Sequence, residues 1–78
     1  MAQIHQQAIA YIRQNDWHNA HELIQTAGDP LACLIHGFLH RQEGDLGNAS
    51  YWYQRAGETL AETPLETELE RLDALARR

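Results

Sequence analysis

Apolar residues recur along this chain at three- and four-residue spacing, and no stretch alternates with a period of two, so the pattern predicts helices and no strands. From Ala2 to Asn15 the residues Ile4, Ala8, Tyr11 and Ile12 line one face of a first amphipathic helix. Asp16 is placed to cap a second, whose apolar face is Ala20, Leu23, Ile24 and Ala27 as far as Gly28. Asp29-Pro30 restarts the chain at once, with Asp as cap and Pro at the first helical position, where no amide hydrogen is needed. The third helix then runs to Gly44, and Asp45 caps a fourth with Ala49, Trp52, Tyr53 and Ala56 on its face before Gly57. Thr63-Pro64-Leu65-Glu66 reads as a capping box opening a fifth helix with Leu65, Leu69, Leu72 and Ala76 along one side.

The third of these helices is the hub. Leu31, Leu34, Ile35, Phe38 and Leu39, widened by Cys33, make it apolar on almost every side, and a helix of that kind must be covered by neighbours from more than one direction.

The helices also repeat. Asn15-Asp16-Trp17-His18-Asn19-Ala20 matches Gly44-Asp45-Leu46-Gly47-Asn48-Ala49 at an offset of 29 residues, and Ala8 pairs with Gly37, Ile24 with Tyr53, Ala27 with Ala56 and Gly28 with Gly57. Small residues thus fall where two antiparallel helices would cross closely, which is the signature of stacked helical hairpins. Gly37, Gly44-Asp45, Ala49 and Ala56, with Ala8, Tyr11, Asp16, Ala20 and Ala27 in the first unit, resemble the tetratricopeptide-repeat pattern. The stretch from His36 to Arg55 is also similar to a group of uncharacterised small helical proteins. The fold expected is all-α: a single domain over 1–78, with TPR-like hairpins at 2–28 and 30–57 and a capping helix at 64–77.

Length and charge narrow the function. The chain has 78 residues, enough for one small core, and no apolar run approaches the roughly 20 residues that span a bilayer. Its start lacks a basic flank and an unbroken apolar core, so it is read as cytoplasmic rather than secreted. Net charge is −5 and every cation is arginine, which argues against a nucleic-acid partner, because phosphate binding rests on clustered positive charge. The acidic residues Glu58, Glu62, Glu66, Glu68, Glu70 and Asp73 are expected to be solvated.

Cys33, His36 and His40 stand at i, i+3 and i+7 on one helix, a spacing that could hold zinc with His5 or Glu43 completing the set. Against this stands a plainer reading, in which the two histidines are core residues bonded to Asn48 or Tyr53, Cys33 is an inert buried thiol, and no cofactor or stoichiometric zinc is bound. His18 and His21 read as polar surface. Under the resemblance, first helices line a groove, so Arg13, Phe38 and Arg41 would face a peptide with an acidic or carboxylate end. Tyr51 and Arg55, one turn apart on the fourth helix, form a second recognition patch. The function expected is a non-enzymatic helical adaptor binding another protein or itself, as a homodimer formed through surplus apolar surface on the first helix or an exchanged fifth helix. The alternatives are a metal-binding protein or metal-dependent enzyme using Cys33, His36 and His40, and a purely structural homo-oligomer.

Overall fold

Three aspartates start three helices. Asp16, Asp29 and Asp45 each accept from the backbone amide three residues on (Asn19, Ala32 and Asn48), satisfying donors that a helix N-terminus leaves free. In the computed structural model, which describes residues 3–78, the helices are α1 (Ile4–Arg13), α2 (Trp17–Ile24), α3 (Pro30–Gln42), α4 (Leu46–Arg55) and α5 (Leu65–Ala76). No strand occurs among the described residues. Ala2, where the apolar pattern begins the first hairpin, lies outside them.

The offset of 29 residues is visible in the backbone. Asn15 and Gly44 are equivalent positions, and both take the left-handed conformation, with φ of 59° and 83°, that ends one helix and lets the following aspartate cap the next. Helix α1 packs on α2, and α3 on α4. Ala8, Ala20 and Ala49 are fully buried, and Gly37 meets the ring of Tyr53 where α3 crosses α4.

Helix α3 touches all four other helices, and every residue from Ala32 to His40 is buried. Helix α5 lies across α1 and α3 and inserts Leu72 and Ala76 into the common core. Its start differs from the sequence pattern. The N-cap is Pro64, without a side-chain bond, so the capping box does not form; the helix begins one residue late for Thr63 to reach it, and the Thr63 carbonyl accepts from Arg41 instead.

The acidic cluster is not wholly solvated either. Glu68 is 2% exposed and accepts from the Tyr53 hydroxyl at 2.7 Å and from Arg71 at 2.8 Å, while Arg71 also reaches Glu58 at 2.9 Å. Burial works to raise the Glu68 pKa, but hydrogen bonds from Arg71 and Tyr53 outweigh it and hold the carboxyl below its ordinary value. The same burial and the Glu68 bond push the Tyr53 hydroxyl well up. This polar clamp ties α5 to α4 at the end of the α3–α4 hairpin.

Candidate functional site

Helix α2 opens with Trp17, and its Nε1–H donates to the Leu39 carbonyl at 2.7 Å, fixing the start of α2 against α3. One turn later His21 stacks on that indole, centroids 4.7 Å apart and 8° from parallel. On α3, His36 and His40 are likewise one turn apart, and their rings stack at 5.1 Å. The two helices bring the histidines together: His21 meets His36 edge-on at 4.7 Å and His40 at 5.4 Å. Helix α4 closes the far side, with Trp52 stacked on His36 at 3.9 Å. Two indoles therefore bracket three imidazoles.

Each imidazole has a defined partner. The Nε2 atoms of His36 and His21 lie 3.1 Å apart, so one donates its hydrogen to the other, and His40 Nδ1 is 2.5 Å from a Glu43 carboxylate oxygen. Desolvation first, then the neighbouring His21, His40 and Arg55, lower the His36 pKa to about 4. His21 is lowered too, by desolvation and by His40, against the opposing pull of Glu43 and Glu22. At neutral pH these two rings are uncharged.

The cluster continues to the surface through Trp52. The Arg55 guanidinium lies 5.0 Å from the Trp52 ring centre and 5.9 Å from that of Tyr51, and the two rings meet edge-to-face at 5.2 Å. Tyr51 is 53% exposed, and Arg55 has no ion-pair partner among the described residues.

Several residues singled out in the sequence lie elsewhere or pair differently. Cys33 is buried with its thiol near the Gly28 carbonyl and joins no group of metal-ligating side chains among the described residues, so the Cys33, His36, His40 set does not assemble; His21 of α2 is the side chain that meets His36 and His40. His5 pairs with Asp29 at 2.7 Å. The histidine partners are His21 and Glu43 rather than Asn48 or Tyr53, because the Tyr53 hydroxyl is held by Glu68. Of Arg13, Phe38 and Arg41, Phe38 is covered and the two arginines are engaged by α5 and the loop before it, with Arg13 still half exposed. Phe38 is 1% exposed, Arg13 binds Asp73 of α5 at 3.1 Å, and Arg41 binds the loop before α5.

His21, which reads as polar surface in the sequence, belongs with Trp17 and Trp52 to this one site. Trp17 and His21 stand at i and i+4 on α2, a spacing that puts them on one face without saying what that face meets.

Comparison with known proteins finds no family model, no curated protein and no solved structure that matches this chain.

Proposed function

We propose that this protein is a non-enzymatic helical adaptor, built from two TPR-like hairpins and a capping helix, that binds another protein through the outer face of α4. The observation that carries this reading is the Tyr51–Trp52–Arg55 patch, where a cation without an ion-pair partner rests on two aromatic rings at the surface. Aromatic and arginine side chains are the usual anchors of protein interfaces. A guanidinium placed over aromatic rings favours a partner segment that brings a carboxylate next to an apolar side chain. The groove expected from the resemblance is taken by α5, so recognition moves to α4. Of the apolar surface on α1 that suggests a homodimer, Ile9 and Ile12 enter the core that α5 completes, while Ile4 and Tyr11 stay partly exposed. A buried free thiol fits a reducing compartment such as the cytoplasm. No helix among the described residues is long and apolar enough to cross a membrane.

The test is cross-linking and co-purification of the tagged native protein beside the Tyr51→Ala/Arg55→Ala double variant, with circular dichroism to confirm equal folding. The expected result is a partner retained by the native protein, cross-linked through α4, and lost from the variant. Retention by the folded variant would overturn the assignment, and a cross-link only to a second copy would replace the foreign partner by self-association.

A further inference from the structure

We propose that His21, His36 and His40 form a binding site for one divalent late first-row transition metal, of which zinc is the type. One ring nitrogen from each histidine lies within 4.8 Å of the other two, and no other trio of histidines comes together among the described residues. The tightest pair fits a shared ion closely. Two nitrogens bound to one zinc at about 2.0–2.1 Å in tetrahedral geometry sit roughly 3.3 Å apart, and the Nε2 atoms of His21 and His36 are already 3.1 Å apart.

The donor set is chemically consistent. Three imidazoles and no thiolate suit zinc, nickel or copper rather than magnesium or calcium, which take oxygen ligands. Glu43 holds His40 at Nδ1, which leaves Nε2 with the lone pair that ligates, the carboxylate–histidine arrangement that commonly orients a ligating ring. The Trp17 and Trp52 stacks hold the His21 and His36 planes before any ion arrives. Closing the trio on one ion brings its nitrogens from within 4.8 Å of one another to the roughly 3.3 Å that tetrahedral ligation requires. On binding, the ring that carries the hydrogen between the two Nε2 atoms releases it to solvent and takes up a proton at its Nδ1, a change of tautomer that frees the Nε2 lone pair without changing the charge of that ring. Three protein ligands leave a fourth position for water or a small ligand.

The experiment uses the full chain, freed of any histidine tag and treated with chelator. Zinc titration by calorimetry at pH 7.5 is expected to give one ion per chain with micromolar or tighter affinity, and a melting temperature that rises with zinc. His21→Ala, at the partly exposed member of the trio, is expected to weaken binding at least tenfold while leaving the helical spectrum intact; His18→Ala, on the same helix but outside the cluster, is expected to leave it unchanged. Cobalt in place of zinc is expected to show the visible absorption of a four-coordinate nitrogen site without a thiolate charge-transfer band. No binding at 100 µM zinc, or binding that survives His21→Ala, would overturn the site, and a thiolate band would replace this donor set by one containing Cys33. Tyr51 and Arg55 touch Trp52 but offer no ligand to the trio, so the Tyr51→Ala/Arg55→Ala variant should keep a stoichiometry of one zinc per chain even where it loses the partner, which separates this inference from the adaptor reading.

Discussion

Gly37→Leu is expected to abolish cooperative folding. A Cβ at Gly37 would stand 2.6 and 2.8 Å from two ring carbons of Tyr53 and 3.1 Å from the Ala49 carbonyl oxygen. Tyr53 cannot swing aside, because its ring is fully buried and its hydroxyl is held by Glu68. Even Gly37→Ala forces the two helices apart, at a cost of about 1–3 kcal/mol, which equals or exceeds the ~1 kcal/mol that alanine returns in helix propensity. Leucine adds three more carbons to the same gap in a domain whose whole stability is on the order of 5 kcal/mol. Gly47→Ala is the control: nothing lies within 4 Å of that position in the first turn of α4, so stability should stay within about 0.5 kcal/mol of the native value. Circular dichroism melts of the three variants check this, and a Gly37→Leu protein with native helicity and melting temperature would refute the α3–α4 crossing.

Deleting residues 58–78 is the second change expected to unfold the protein. Helix α5 supplies Leu72 and Ala76 to the core, and its Glu68 and Arg71 form most of the clamp on Tyr53. It also provides the Asp73 carboxylate that pairs with Arg13, and its Ala76 carbonyl accepts from Gln6. Without it, Phe38, Ile9 and Ile12 face water, and each large apolar side chain so exposed costs about 1.5–3 kcal/mol. Three such losses reach the stability of a domain this size before the polar clamp is counted. The truncated chain should lose its cooperative melt or associate through the uncovered surface. A truncated monomer that melts as the full chain does would contradict the role given to α5.

How much of this was legible in the sequence depended on range. The helices and their starts at Asp16, Asp29 and Asp45 follow from local spacing and capping, and the Asn15/Gly44 equivalence followed from the repeat alone. Helix α5 was legible as a helix with an apolar stripe. What the stripe covers was not, because Leu72 meets a core assembled from residues far earlier in the chain, and its spacing says only that one side is buried. The same limit explains the site. His36 and His40 could be placed on one helix face, and Cys33 was the nearest third ligand along that helix. The third imidazole is His21, brought in by the packing of α2 on α3, a contact between hairpins that no local pattern encodes. Glu68 looked solvated for the same reason, since Tyr53 and Arg71, the groups that make its burial tolerable, meet it only after α5 docks.

The burial of His36 between Trp52 and the neighbouring imidazoles organises the whole site, and its most direct test is an NMR pH titration of the His36 ring protons in metal-free protein. Burial behind Trp52 and beside His21 and His40 lowers His36 from 6.5 to about 4. Between those values the unfolded chain binds a proton that the folded protein refuses, so the protein loses stability as pH falls from about 6.5 and has lost the full contribution by about 4, on the order of 3 kcal/mol from this ring. His21 adds to the loss with the same sign. The result predicted is a His36 resonance that does not shift until the pH is near 4 or the protein begins to unfold, together with a melting temperature that drops across the same interval. A His36 midpoint near 6.5, with stability flat from pH 7 to pH 5, would contradict it.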